Sequence, residues 1–202
     1  MSKILDLYAE LVGSQQRFID EVFDKEEYSA ALPQLTIIDL GAYEGEFSFY
    51  CYNFAKTIYA IEADPRPYAI LEKHIKDYEL DRIKCFPLAI ADGRGERIFH
   101  ASGYGGSRLL TRGEVNAAPE DKIKVASMSL AEFINDNKID HVDILKVDIE
   151  HGEDELFRAA DFKDVVDKID KIIGEHLEGV DDLLKKFGFK ATTHGINVLY
   201  TK

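Results

Sequence analysis

Hydrophobic positions change their spacing along the chain. Within residues 2–25, apolar residues recur at intervals of three and four, which predicts one or two amphipathic helices. From Leu35 onward, short apolar runs rich in β-branched residues alternate with helical patterns. We therefore expect an N-terminal helical extension over residues 1–34 and a separate domain over residues 35–202.

Seven of the apolar runs predict β-strands. They cover residues 35–40, 57–61, 83–90, 142–149, 169–174, 189–193 and 196–200. The last two flank His194-Gly195 and predict an antiparallel hairpin. Alternation of strands and helices favours an α/β fold, namely a doubly wound, mostly parallel seven-stranded sheet with helices on both faces. Residues 91–122 break the alternation and predict an insertion that contains a hairpin and a Gly-rich loop.

The turn after the first strand has the position at which doubly wound sheets bind nucleotides. Gly41 and Gly45 permit a tight turn there, but Tyr43 occupies the position of the second glycine in the dinucleotide fingerprint. Glu44 and Glu46 stand at the helix entrance, where they would repel a phosphate. The Gly-Lys-Ser/Thr phosphate loop is missing from the sequence as well. These residues argue against a nicotinamide dinucleotide.

A nucleoside cofactor without phosphates fits this pattern better. Glu62 ends the second predicted strand, and nucleoside-binding folds place an acid about 20 residues after the glycine turn to accept hydrogen bonds from ribose hydroxyls. S-adenosylmethionine combines a ribose with a sulfonium and an amino group, and acidic side chains suit these positive groups. The expected contacts to S-adenosylmethionine are Asp39, Gly41, Ala42, Gly45, Glu62, Asp92 and Asp148.

Three segments resemble one known family. Residues 37–48, 62–65 and 142–150 resemble the first motif, the acid-x-x-Pro step and the Lys-x-Asp-x-Glu strand of the FkbM-type S-adenosylmethionine-dependent methyltransferases. With residues 89–92 and Gly95, the resemblance spans about residues 35–178. It implies methyl transfer, usually to a hydroxyl of a sugar, a polyketide or another small metabolite. The family usually has a glycine after the acid of the third segment, where this chain has His151.

Methyl transfer to a hydroxyl needs a group that accepts the hydroxyl proton. Glu150, after the fourth strand of the sheet, and His176, after the fifth, are the predicted bases, and His151 is an alternative. Carboxylates with an imidazole also suit several divalent metals, but no spacing in this sequence is diagnostic of a metal site, and none is predicted. The residues that would surround such a cation are Asp148, Glu150, Glu175 and His176.

Lys146 interrupts the apolar run of the fourth strand. Because an unpaired ammonium is costly to bury, we expect a nearby acid as its partner. Asp148 lies two positions further on the same strand face and is one such acid. The alternative is that Lys146 reaches solvent at the strand end.

Composition and charge narrow the range of partners. The chain has 202 residues, with 25 Lys and Arg against 38 Asp and Glu, and a net charge of −13. Lys and Arg contacts to phosphates dominate nucleic-acid affinity, so neither a nucleic acid nor a membrane surface is expected as partner. Two cysteines make no disulfide framework, which favours a cytoplasmic location.

The expected acceptor is a small molecule with a hydroxyl. A nucleic-acid or protein methyltransferase and a non-catalytic S-adenosylmethionine-binding module remain alternatives.

Overall fold

The computed structural model of the chain describes residues 34–102, 106–110, 114, 121–175, 177–194 and 197–202. The strands are β1 (Leu35–Leu40), β2 (Ala55–Ile61), β3 (Ile83–Phe86), β4 (Ala89–Ile90), β5 (Gly95–His100), β6 (Arg108–Leu109), β7 (Lys122–Met128), β8 (Val142–Val147), β9 (Ile169–Glu175), β10 (Lys190–His194) and β11 (Asn197–Thr201). The α-helices are α1 (Glu46–Cys51), α2 (Pro65–Asp77), α3 (Leu130–Asp136), α4 (Glu153–Arg158) and α5 (Asp181–Lys186). The predicted N-terminal extension lies outside the described residues, apart from Gln34.

A seven-stranded sheet in the order β10-β11-β9-β8-β1-β2-β3 forms the centre of the fold. Its strands are parallel from β9 to β3, and β11 runs antiparallel to both β9 and β10. Successive residues such as Ile37 and Ile38 face opposite sides of the sheet and belong to two separate apolar cores. Helices α1 and α2 pack into one core, and α3, α4 and α5 into the other. The predicted doubly wound sheet with a C-terminal hairpin is confirmed.

A second, four-stranded sheet departs from the prediction. The sequence predicted one strand over residues 83–90, and this is wrong because the chain divides at Pro87. Proline cannot donate to a strand ladder, so β3 ends at Phe86 and β4 pairs instead with β7. The second sheet has the order β4-β7-β5-β6 and extends to Met128, beyond the insertion predicted near residues 91–122.

The helix starts follow local rules. Helix α3 begins with a capping box, in which Ser129 Oγ accepts from the Glu132 backbone N–H at 3.0 Å and Glu132 Oε2 accepts from the Ser129 N–H at 2.9 Å. Helix α2 begins with Pro65, at a position where the missing N–H has no intrahelical partner in any case. Within the described ranges, the helices fall short of the length and apolar character that a bilayer crossing requires.

A buried ion pair joins β1 to β8 near their carboxyl ends. Asp39 and Lys146 are neighbours in the register of the two strands, and Lys146 Nζ lies 3.2 Å from Asp39 Oδ1. Asp39 is fully buried and its Oδ2 accepts from Ser48 Oγ on α1 at 2.6 Å. Lys146 Nζ also donates to the Gly41 carbonyl oxygen at 2.7 Å and lies 3.5 Å from Asp148 Oδ2. The expectation that Lys146 pairs with an acid is confirmed, with Asp39 as the nearer partner.

The charge state of Lys146 follows from its neighbours. Burial by itself lowers the pKa of Lys146, but the carboxylates of Asp39 and Asp148 outweigh burial and raise that pKa above its usual value. A raised lysine pKa means that the ammonium, and the stability it contributes, persist at every pH below the ordinary lysine range.

We predict that the ion pair makes a large contribution to stability. Lys146→Met leaves the buried Asp39 carboxylate without its cation, and we expect the free energy of unfolding to fall by about 3–5 kcal/mol. Adding Asp39→Asn removes the uncompensated charge, so the double variant is expected to be more stable than Lys146→Met alone. Urea unfolding followed by circular dichroism measures both effects.

The matched control is Lys163→Met on an exposed lysine, which we expect to change stability by no more than about 0.5 kcal/mol. A Lys146→Met variant as stable as this control would contradict the prediction. So would a double variant that recovers no stability.

Candidate active site

A cavity of about 390 Å³ opens at the carboxyl ends of β1, β2 and β8. Its walls come from the turns that follow these strands, from β4, and from β5 and β6 of the second sheet. Doubly wound sheets bind ligands in the crevice at this end of the strands. The cavity therefore lies where the topology predicts a ligand site.

Both glycines in the turn after β1 have a positive φ and leave no space for a Cβ atom. Gly41 has φ +70°, and a Cβ added there would lie 1.7 Å from the Asp148 carbonyl oxygen. Gly45 has φ +107°, and its Cβ would lie 2.4 Å from Phe49 Cζ. Gly41 and the buried Ala42 line the cavity, whereas Gly45 shapes the start of α1 behind it. The backbone of this turn is thus the part of β1 that a ligand can approach closely.

Glu62 is held at the end of β2 by two backbone N–H groups. Its Oε2 accepts from Tyr43 N at 2.9 Å, and its Oε1 accepts from Asp64 N at 2.7 Å. The residue is only 7% exposed, and burial raises the pKa of its carboxyl group. Each carboxylate oxygen has two lone pairs, so both oxygens can accept a further donor from the cavity. A vicinal diol such as a ribose would supply two such donors.

Carboxylates dominate the polar lining of the cavity. Glu46, Glu62, Asp148 and Glu150 all line it, and burial raises the pKa of Glu46. Lys146 is the sole cation among the described lining residues. Its ammonium is already engaged by Asp39 and by the carbonyl oxygen of the β1 turn. The cavity therefore has a negative electrostatic character.

Glu150 lies in an unusual backbone conformation. Glu150 and His151 have φ +51° and +71°, in the left-handed region that non-glycine residues seldom adopt. Such strain clusters at ligand and active sites, which supports a functional role for this turn. The conformation also explains the usual glycine of the family at the position of His151. Glu150 lines the cavity, whereas His151 is exposed and is not among the lining residues.

The other predicted site residues lie elsewhere. Asp39 is buried beneath the cavity in its ion pair with Lys146. Asp92 is exposed and accepts from Arg97 Nη1 at 2.7 Å, away from the lining residues. His176 lies outside the described residues. The predicted residues that the structure brings together around the cavity are Gly41, Ala42, Glu62, Asp148 and Glu150.

A hairpin in the insertion was predicted from the sequence, but the wall that it contributes to the cavity was not. Phe99 on β5, Leu109 on β6 and the neighbouring Ser107 line the cavity opposite the β1 turn. No local pattern indicates that the hairpin folds against the cavity, because that depends on contacts with distant parts of the chain.

Sequence and structure comparisons agree with this geometry. The Methyltransferase FkbM domain matches residues 39–191, which is most of the chain. Comparison with curated proteins finds no match.

Several solved methyltransferase structures share the fold. The methyltransferase FkbM from Methylobacillus flagellatus KT aligns with a TM-score of 0.56 and 14% identity, over 85% of this chain and 44% of that one. This chain thus spans less than half the length of the Methylobacillus protein. The METTL16 MTase domain aligns with a TM-score of 0.53 and 11% identity, over 92% of this chain and 65% of that one. SMU.1697c, a putative methyltransferase from Streptococcus mutans in complex with S-adenosylhomocysteine, aligns with a TM-score of 0.51 and 8% identity, over 89% and 95%.

At these identities the solved structures support the fold, and the domain match carries the family assignment. The match begins at Asp39 in β1, just before the glycine turn, and continues through β8, which carries Lys146 and is followed by Asp148. These are the same elements that build the cavity. The chain belongs to the FkbM family of S-adenosylmethionine-dependent methyltransferases.

Proposed function

We propose that the protein transfers the methyl group of S-adenosylmethionine to a hydroxyl of a small, uncharged molecule such as a sugar. The observation that carries this proposal is the charge of the cavity. Four carboxylates line it, and its sole described cation is engaged by Asp39 and a backbone carbonyl. Phosphorylated or carboxylated acceptors would meet like charges there, whereas a neutral hydroxyl compound would not.

The cofactor occupies the side of the cavity between β1 and β2 in this proposal. Glu62 accepts hydrogen bonds from the ribose hydroxyls, since it lines the cavity and each of its oxygens, held by one backbone donor, can accept another. The backbone of Gly41 and Ala42 passes close to the amino-acid tail. Asp148 and Glu46 offer negative charge to the ammonium of the tail. Bound S-adenosylmethionine supplies an electrophilic methyl group on a sulfonium.

Glu150 is the proposed general base. Glu150 lines the cavity shortly after the end of β8, and its backbone lies in the left-handed region. In this role it takes the proton of the acceptor hydroxyl as the oxygen attacks the methyl carbon. His176, the other predicted base, follows β9 in the sequence and stays a prediction. In-line displacement depends strongly on alignment, so a base that binds the acceptor hydroxyl also helps to orient the acceptor.

A nucleic-acid or protein acceptor is the second hypothesis, because a methyltransferase of either kind would share the same cofactor site. The net charge of −13 opposes a polyphosphate partner, since affinity for such partners rises with the number of Lys and Arg contacts. The acceptor is therefore tested directly. Radiolabelled methyl transfer is measured to neutral sugars and polyols, to the same sugars as phosphates, to RNA, and to peptides.

We expect the highest kcat/KM for a neutral hydroxyl compound. Preference for the phosphorylated sugars, RNA or peptides would contradict the proposal. Binding of S-adenosylhomocysteine without transfer to any acceptor would favour a binding module instead.

We predict that Glu62 controls cofactor affinity and its pH dependence. Glu62→Gln removes the charge that accepts the ribose donors, and we expect the Kd for S-adenosylhomocysteine to rise by about tenfold or more at pH 7. Because burial raises the pKa of Glu62, protonation should weaken binding of the wild type through a midpoint above the usual glutamate value of about 4.3. Isothermal titration calorimetry across pH measures both.

The matched control is Glu72→Gln, which changes an exposed glutamate on α2. We expect its affinity and pH profile to equal those of the wild type. If Glu62→Gln binds as tightly as this control, Glu62 does not hold the ribose.

We predict that Glu150 acts in the chemical step. Glu150→Gln keeps the shape of the side chain but cannot take a proton, so kcat should fall by about 10²–10⁴-fold while the Kd for S-adenosylhomocysteine is unchanged. Glu96→Gln, an exposed glutamate on β5, is the control with expected wild-type kcat. A wild-type kcat in Glu150→Gln would show that Glu150 is not the general base, and His176→Gln would then be measured.

A further inference from the structure

We propose that Asp64 and Ser107 are positioning residues that hold the second sheet against the cofactor. This inference rests on the cofactor placement proposed above. Asp64 is fully buried at the start of α2, where its Oδ1 accepts from the Arg66 backbone N–H at 3.1 Å. Its Oδ2 accepts from Ser107 Oγ at 2.8 Å, across a separation of 43 residues. One carboxylate thus caps a helix of the main fold and bonds to the second sheet.

Further hydrogen bonds strengthen this connection. Ser107 Oγ also accepts from the Ser102 backbone N–H at 3.0 Å, so the hydroxyl bridges both sides of the β5–β6 connection. The Arg66 guanidinium donates to the Ala101 carbonyl oxygen. The start of α2 therefore contacts the second sheet at two residues of the β5–β6 connection, Ala101 and Ser107. We call this set of contacts the α2 clamp, formed by Asp64, Arg66, Ala101 and Ser107.

The α2 clamp connects two walls of the cavity. The Asp64 backbone N–H donates to Glu62 Oε1 at 2.7 Å, so the same residue orients the acid that is proposed to hold the ribose. On the other side, Ser107 lines the cavity together with Phe99 and Leu109 of the second sheet. Asp64 therefore sets the distance between the ribose acid and the apolar wall that faces it.

The expected consequence is a loss of cofactor affinity when the clamp is broken. Without the Ser107 hydroxyl, the cavity wall formed by the second sheet loses a hydrogen bond to α2. Ordering that wall then reduces the free energy of cofactor binding. A protein whose binding-competent state is less populated shows a weaker apparent affinity in the same proportion. The chemical step, which depends on groups at β8, should be unaffected once the cofactor site is saturated.

The test compares three serine variants by calorimetry with S-adenosylhomocysteine. Ser107→Ala should raise the Kd by about tenfold, as expected for loss of a hydrogen bond to a charged group. Ser107→Thr keeps the hydroxyl and should restore the affinity. Ser127→Ala is the matched control, because the buried Ser127 in the same sheet donates to the Gly93 carbonyl oxygen at 3.0 Å and does not line the cavity.

A second readout separates positioning from loss of stability. Ser107→Ala should raise the KM for S-adenosylmethionine with kcat unchanged, whereas Ser127→Ala should lower the Tm without changing the Kd. A Kd for Ser107→Ala equal to that of the wild type would overturn the inference. Equal weakening in Ser107→Ala and Ser127→Ala would overturn it as well, because the effect would then follow stability.

Different results would disprove the cofactor placement and the α2 clamp. If the wild type itself binds no S-adenosylhomocysteine, the cofactor placement is wrong and the clamp falls with it. If the wild type and Glu72→Gln bind but Ser107→Ala binds equally well, only the clamp is wrong.

Discussion

The ion pair between Asp39 and Lys146 is the constraint on which the site depends. It joins β1 to β8 across the middle of the sheet, and the same ammonium donates to the carbonyl oxygen of Gly41. The turn after β1 can therefore lie against the backbone of Asp148 so closely that only glycine fits. One cation thus connects the glycine turn, where the cofactor is proposed to bind, to the strand that precedes the proposed base.

The same pair also determines the electrostatics of the cavity. Lys146 Nζ lies near the carboxylates of Asp39 and Asp148 and offsets part of their charge. The other lining acids, Glu46, Glu62 and Glu150, leave the cavity with a net negative charge. Negative charge favours the sulfonium and the ammonium of the cofactor and disfavours an anionic acceptor. Burial raises the pKa of Glu62 and of Glu46, which both line the cavity. Cofactor affinity should therefore fall at a pH above that at which an ordinary surface glutamate is protonated. The stability of the sheet and the proposed preferences for cofactor and acceptor thus involve the same lysine.

Short-range patterns in the sequence were sufficient for the main sheet and for the turn that carries Gly41. The β-branched runs and the glycine turn depend on neighbouring residues, and the structure has them close to the predicted positions. The pairing of β4 in a second sheet was not predicted, because its partner lies about 40 residues away in β7. The bond between Asp64 and Ser107 has the same character, since it joins distant segments that no periodicity relates. The role of His176 could not be determined from the sequence, because it depends on where the side chain lies.

In the proposed complex, the glycine turn and Glu62 together hold an adenosine that lacks phosphates. A crystal structure with S-adenosylhomocysteine tests this placement. We expect both ribose hydroxyls within hydrogen-bonding distance of the Glu62 carboxylate and the amino-acid tail against the backbone of Gly41. Density for the ribose at another edge of the sheet, or a Glu62 carboxylate turned away from the ribose, would show that this placement is wrong.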